Sequence, residues 1–125
     1  MRPGVSAVLF AKDARRVARF YVRVFGAKVL AEDVYHAALD VHGFRLIVHQ
    51  IPPHLAKDVE IHNPPWRRES GAIRLDYPVD DIVEARNAAR QLGGQIDDAP
   101  PAWAEPESRF FLGFDPEGNV FGCGR

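Results

Sequence analysis

The side chains that could do chemistry in this chain recur at two-residue spacing within two predicted strands. Arg45 and His49 flank Ile47 in one strand, and Arg74 precedes Asp76 in another. Alternate residues of a strand share a face, so each set should present its polar groups on one side of a sheet. Arginines so placed can bind a carboxylate or phosphate, and a His–Asp pair can move a proton. Arg74 beside Asp76 could equally form a structural ion pair.

Nucleophilic catalysis has little support in the sequence. Cys123 is the only cysteine, so an internal disulfide and a cysteine-based metal cluster are excluded. Ser6 could be activated by His49 only if their strands come close together. His49 and Asp76 could transfer a proton in an isomerase or lyase, but their spacing does not require it. The catalytic residues therefore stay unassigned.

A repeated helix signature indicates how these residues are positioned. Asp13 precedes an apolar helical stripe that ends at Gly26, and at a constant offset Asp81 precedes a second stripe that ends at Gly94. Aspartate at the start and glycine at the end are typical helix caps. The repeat predicts one domain built from two half-folds, with a cleft where their sheets face each other.

Each half is predicted to contain a strand, a helix and three further strands. The fold class is therefore α+β, with tandem βαβββ repeats forming a curved, cleft-bearing mixed sheet and helices packed outside. Within a single domain of residues 1–125, the first half covers 5–50, a proline-rich linker 51–71 and the second half 72–125. The predicted elements are Val5–Phe10, Ala14–Phe25, Val29–Asp33, Tyr35–Val41, Phe44–Gln50, a short helix near His54–Asp58, Ile73–Pro78, Ile82–Leu92, a strand from Gln95, Arg109–Phe114 and Asn119–Gly124.

Composition places the chain among ordinary soluble domains. The 125 residues are 46% hydrophobic and 26% charged, with a net charge of −1. Dispersed arginines argue against a nucleic-acid partner, and the lack of a long apolar run argues against a membrane partner. No signal peptide is evident at the N-terminus, so we expect a cytoplasmic protein, most simply bacterial.

Two local motifs resemble those of the vicinal oxygen chelate superfamily. They are Phe20-Tyr21 followed by Gly26 in the first half, and the turn Asp115-Pro116-Glu117-Gly118-Asn119 in the second. That superfamily contains glyoxalase I, bleomycin-resistance proteins, fosfomycin-resistance enzymes and extradiol dioxygenases. The segment Pro64–Glu69 is similar to one in a bacterial branch described only as glyoxalase-like.

The resemblance implies four positions that hold metal ligands in metal-using members. In this chain they are occupied by Ser6, Ile47, Arg74 and Gly122. A divalent ion prefers imidazole, carboxylate or thiolate donors, and an arginine would repel it. We therefore expect no metal and no other cofactor. A displaced site made by His49 and Asp76 stays open as an alternative.

The resemblance also orients Ile47 toward the cleft, and strand alternation then brings neighbouring polar groups to the same side. Further lining is expected from Phe10, His36 and Asp40. Trp66 and Trp103 lie in proline-rich loops, where they could contact either a ligand or a partner chain. The predicted ligand-binding residues are Ser6, Arg45, Ile47, His49, Arg74, Asp76 and Trp103.

Three functions follow from the resemblance. The first is a metal-independent small-molecule binding protein of the bleomycin-resistance type, whose ligand is organic and carries an anionic group. The second is a lyase or isomerase of the glyoxalase type, or a dioxygenase relative, with a non-standard site. The third is a degenerate member that acts in protein–protein interaction. In each case we expect a homodimer, because small members of this fold commonly pair.

Overall fold

The structure is a computed structural model that describes residues 4–125. The chain forms two compact units that divide between Ile61 and His62, inside the predicted linker. Each unit contains one four-stranded mixed sheet in the same relative strand order. This arrangement confirms the predicted α+β class with tandem βαβββ modules.

The first unit follows the predicted element order closely. Its sheet has the order β1-β4-β3-β2, in which only the β1–β4 pair is parallel. The elements are β1 (Ser6–Ala11), α1 (Ala14–Phe25), β2 (Lys28–Glu32), β3 (His36–Val41), β4 (Phe44–Gln50) and the short α2 (Pro53–Ala56).

Helix α1 has the predicted bounds because both of its caps are made. The Asp13 carboxylate accepts a hydrogen bond from the Arg16 backbone N–H at 3.2 Å. At the other end Gly26 adopts the left-handed conformation (φ 70°), which glycine enters without a steric penalty. Val17 and Phe20 are fully buried, so the apolar stripe of α1 forms part of the core.

Strands β3 and β4 alternate between a buried and an accessible face. The side chains buried on the α1 side are Ala37, Leu39, Val41, Leu46 and Val48. Their two-residue spacing is the pattern from which the sequence predicted this face. The intervening residues therefore project from the opposite, open face of the sheet.

The second unit repeats the topology with shorter strands. Its sheet has the order β5-β8-β7-β6, and β5 is parallel to β8. Its elements are β5 (Asp76–Pro78), α3 (Ile82–Gln91), β6 (Gln95–Ile96), β7 (Phe110–Phe114) and β8 (Val120–Gly124). The predicted strand from Ile73 is too long at its start, because the ladder with β8 begins only at the Asp76–Gly122 pair.

The turn between β7 and β8 is held by a buried carboxylate. Asp115 is fully buried and accepts hydrogen bonds from the backbone N–H groups of Glu117 and Asn119 at 2.9 and 3.1 Å. The Arg68 backbone N–H donates to the Gly118 carbonyl at 2.9 Å. A Cβ on Gly118 would lie 2.0 Å from the Trp66 carbonyl oxygen, so glycine is required there. The end of the predicted linker therefore packs on this turn.

A second polar contact ties that segment to the residue that follows β6. The Arg67 guanidinium donates to both carboxylate oxygens of Asp97 at 2.9 and 2.8 Å, and Gln95 Nε2 donates to Asp97 at 3.1 Å. Burial alone would raise the pKa of Asp97, but these hydrogen bonds and the charges of Arg67 and Arg86 bring it below its ordinary value. Asp97 therefore stabilises the second unit in its ionised form.

The helices of the described chain are short. None of those within residues 4–125 has both the length and the apolar character needed to cross a membrane.

Candidate ligand-binding surfaces

The open face of the first sheet carries four of the predicted site residues. Cross-strand pairing arranges its side chains in three rows centred on β4. The rows are Ser6–Arg45–Asp40, Val8–Ile47–Ala38 and Phe10–His49–His36. The structure therefore places Ser6, Arg45, Ile47 and His49 on one face of the sheet, whereas their role in binding stays a prediction.

The last of these rows places two imidazoles beside an exposed phenylalanine. The His49 ring lies 5.7 Å from the Phe10 ring and 6.2 Å from the His36 ring, measured between centroids. His49 Nδ1 lies 2.8 Å from the Gln50 carbonyl oxygen, and His36 Nδ1 lies 2.9 Å from Asp33 Oδ1. Both partners only accept, so each Nδ1 carries the proton, and Nε2 of each neutral ring is left as an acceptor.

Asp33 fixes the orientation of the His36 ring. Its Oδ1 accepts hydrogen bonds from the backbone N–H groups of Tyr35 and His36 at 2.7 and 2.9 Å. These two hydrogen bonds, together with the His36 side chain, lower the pKa of Asp33. The carboxylate therefore stays ionised at neutral pH and keeps the His36 Nε2 atom turned away from it.

Arg45 supplies the positive charge of the open face. Its guanidinium is exposed and makes no ion pair or hydrogen bond among residues 4–125. The opposite residue, Asp40, accepts a hydrogen bond from the Gly43 backbone N–H at 3.1 Å. A guanidinium with all its donors available can bind a carboxylate or phosphonate through two parallel hydrogen bonds.

The second unit brings the other three predicted site residues together. Arg74 donates to the two carboxylate oxygens of Asp76 at 2.7 and 3.1 Å, which makes a bidentate ion pair. The guanidinium carbon lies 5.1 Å from the centre of the Phe110 ring and 5.7 Å from that of Trp103. Trp103 is 66% exposed, so one edge of this cluster is accessible.

Phe110 was missing from the sequence-derived set because the interactions that place it are tertiary. It lies on β7 opposite Gly124, next to the strand that carries Gly122. A Cβ on Gly122 would lie 2.3 Å from Asp76 Oδ1 and 2.5 Å from a Phe110 ring carbon. The space that a side chain at Gly122 would need is therefore already filled.

The donor set at the four family ligand positions does not fit a metal ion. Ser6 and Ile47 lie on the open face of the first sheet, while Arg74 is paired with Asp76 and Gly122 has no side chain. Within the part of the chain that the structure describes, no three His, Cys, Asp or Glu side chains are grouped closely enough to hold a metal. His49 and Asp76, the alternative pair, lie in different compact units.

The remaining nucleophile is buried. Cys123 has no exposed surface, and burial is the main cause that raises the pKa of its thiol to about 12. A thiolate is the reactive form of cysteine, so Cys123 is inert at neutral pH.

Comparison with known proteins identifies one matching protein family and several solved structures with a similar fold. The family model described as Glyoxalase-like domain matches residues 6–123. The fosfomycin resistance protein FosX of Listeria monocytogenes is 14% identical with a TM-score of 0.68, and the match covers 99% of this chain and 91% of that chain. FosX of Mesorhizobium loti is 16% identical with a TM-score of 0.64, over 98% of this chain and 92% of that one.

A third similar structure, SMU.1112c, is 21% identical with a TM-score of 0.65 and 98% coverage of both chains. Two structures of the Listeria protein are complexes with Mn(II), one with a sulfate ion and one, of a mutant, with 1S,2S-dihydroxypropylphosphonic acid. At these identities the likeness demonstrates a common fold. A search of the curated proteins found no match.

Proposed function

This chain belongs to the glyoxalase-like domain family of the vicinal oxygen chelate superfamily, and we propose that it binds a small organic anion without a metal ion. The observation that carries this proposal is that the four family ligand positions hold one weak neutral donor, Ser6, and three residues that cannot coordinate a cation, Ile47, Arg74 and Gly122. The arginine at one of them, Arg74, would repel a divalent ion.

The open face of the first sheet supports an anionic ligand. Arg45 has unpaired donors, and Ile47 and Phe10 offer apolar surface beside it on the same face. Two imidazole Nε2 atoms add acceptors for a hydroxyl or amide of the ligand. Ligand sites commonly combine apolar walls with a few polar groups of this kind.

Arg74 is a weaker candidate for the anion than the sequence indicated. Its bidentate pair with Asp76 balances its charge, and the two aromatic rings cover its plane. An incoming anion would have to displace the Asp76 carboxylate. Arg74, Asp76 and Trp103 therefore form a surface of the second unit that has no net charge.

A second candidate function is proton transfer in a lyase or isomerase. The observation that favours it is the His36–His49 pair, in which Asp33 holds one ring and exposes its Nε2 atom. An imidazole oriented by a carboxylate can act as a general base. The base would then be His36 or His49 rather than the His49–Asp76 pair.

Calorimetric titration tests the proposed function. The probe is 1S,2S-dihydroxypropylphosphonic acid, chosen because a FosX structure contains it. We expect the chelator-treated protein to bind it, and Arg45→Ala to weaken binding roughly tenfold by removing a charge-assisted contact. Binding that needs added Mn(II), or that Arg45→Ala leaves unchanged, would contradict the proposal.

Pairing of two copies is also part of the proposal. Trp66 is 70% exposed and Trp103 is 66% exposed, both in proline-containing segments. Exposed large aromatics are enriched in protein–protein interfaces. Sedimentation at micromolar concentration should give a homodimer, and a single species of 14.0 kDa would refute this.

A further inference from the structure

A concave surface lies on the helix side of the first sheet. It is a groove of about 570 Å³ between α1 and the edge strand β2, and every residue that lines it belongs to the first unit. Small side chains, Ala18 and Ala37 among them, form its floor. The volume is within the roughly 300–1,000 Å³ that is typical of small-molecule sites.

One wall of the groove is a row of arginines. Arg15, Arg19 and Arg23 follow one another at four-residue spacing along α1, so they lie on one side of the helix. Helix α1 contains no acidic residue. Among residues 4–125, none of the three guanidinium groups makes an ion pair or a side-chain hydrogen bond.

Three arginines of the second unit show the opposite arrangement, in which a carboxylate lies beside the guanidinium. Arg67, Arg74 and Arg86 each lie within 4.0 Å of a carboxylate, at distances of 2.8, 2.7 and 3.7 Å. The three arginines of the groove therefore form a concentration of positive charge that the fold itself does not neutralise.

The opposite wall is apolar with acidic residues at its end. Val29 and Val34 line the groove and are 47% and 66% exposed. Glu32 and Asp33 also line it, and Asp33 is occupied by hydrogen bonds from Tyr35 and His36. The two carboxylates would repel an anion from that end, so its charged group belongs at the arginine wall.

We propose that this groove is a second binding site for an amphipathic organic anion, with a carboxylate, sulfonate or phosphate at the arginine row and a compact apolar body against Val29 and Val34. The combination of three unpaired cations with an apolar floor matches such a ligand in charge and in shape. The groove shares His36 and Asp33 with one end of the open face, but its arginine row does not include Arg45, so the proposal does not depend on the proposed function.

Titration with 8-anilinonaphthalene-1-sulfonate tests this site, because the probe combines a sulfonate with an apolar body. Backbone amide shifts in NMR spectra locate its binding, and fluorescence gives its affinity. We expect the largest shifts near Ala18 and Ala37 and weaker binding at high salt. The double variant Arg19→Ala, Arg23→Ala should bind roughly tenfold more weakly, the sum of two exposed charge contacts.

Two controls make the result specific. Arg90→Ala removes an exposed arginine from the last turn of α3 and should leave the affinity unchanged. The uncharged analogue N-phenyl-1-naphthylamine should be insensitive to the double variant. No binding, shifts confined to other regions, or equal losses in the double variant and Arg90→Ala would overturn the proposal.

Discussion

The two halves of the chain use the same topology but treat their arginines differently. On the first sheet Arg45 stands on the open face without a carboxylate partner, and a further row of unpaired arginines lines α1. In the second half Arg67 and Arg74 each donate two hydrogen bonds to the carboxylate of an aspartate. The comparison indicates that Arg67 and Arg74 stabilise the second half, whereas the proposed function assigns the unpaired charge of Arg45 to a ligand.

The largest effect is expected from placing a glutamate, a possible metal ligand, at two of the four family ligand positions, Gly122 and Ile47, one in each half. Gly122→Glu should lower the free energy of unfolding by at least about 3 kcal/mol, because Asp76 and Phe110 leave no room and the new charge would face a carboxylate. Ile47→Glu lies on the accessible face and should cost only about 1 kcal/mol. Urea unfolding measures both.

If Gly122→Glu does not fold, Gly122→Ala gives the same comparison in a milder form. Its Cβ alone meets Asp76 Oδ1, so a loss of about 1–2 kcal/mol is expected. Equal stabilities for the glutamate variants in the two halves would show that the positions are equivalent after all.

An intermediate effect is expected from Asp97→Asn, which removes the charge that holds Arg67. At neutral pH the variant should be less stable by about 1–2 kcal/mol, since Asp97 is partly buried and accepts from Arg67 and Gln95. The folded-state pKa of Asp97 is lowered, so this stabilisation is present above its unfolded pKa and is lost as the pH falls through the folded value.

Measurements of the free energy of unfolding as a function of pH test whether the stabilisation by Asp97 is lost as the pH falls. The difference between the parent and Asp97→Asn should shrink steadily below about pH 4. Asp98→Asn is the matched control, because Asp98 is 90% exposed and should show little difference at any pH. A gap between parent and Asp97→Asn that stays constant down to pH 2 would mean that the charge of Asp97 is not what stabilises the unit.

The smallest effect is expected when Arg74 and Arg45 are each replaced by alanine and the variants are compared without ligand. Arg74→Ala should lower the free energy of unfolding by roughly 0.5–1 kcal/mol, because it breaks an accessible ion pair and two contacts with aromatic rings. Arg45→Ala should change it by less than about 0.5 kcal/mol. Thermal or urea unfolding of both variants decides this, and a larger loss for Arg45→Ala would reverse the assignment.

The sequence predicted the first half better than the second. Helix α1 and strand β4 have the predicted bounds, because the Asp13 and Gly26 caps and the alternation of Leu46 and Val48 are local signals. The predicted start of β5 was wrong because ladder pairing with β8 is a tertiary property. The sequence left open whether Arg74 pairs with Asp76 or binds a ligand. No local sequence pattern indicated that the Phe110 ring would pack against the Arg74 guanidinium.

The groove beside α1 is another feature that local sequence patterns could not predict in full. Four arginines in one helix are visible in the sequence, but their lack of carboxylate partners depends on where the chain places its acids. The sequence could indicate which face of each strand is polar. It could not indicate which of the charges on that face would be neutralised.

The central claim is that Arg45, and not a metal ion, provides the positive charge for an anionic ligand. Calorimetric titration of 1S,2S-dihydroxypropylphosphonic acid into chelator-treated parent, Arg45→Ala and Arg74→Ala tests it most directly. We expect metal-free parent to bind, Arg45→Ala to bind roughly tenfold more weakly and Arg74→Ala to stay within about threefold of the parent. Binding that appears only after a divalent ion is added, or that depends on Arg74 and not on Arg45, would contradict the claim.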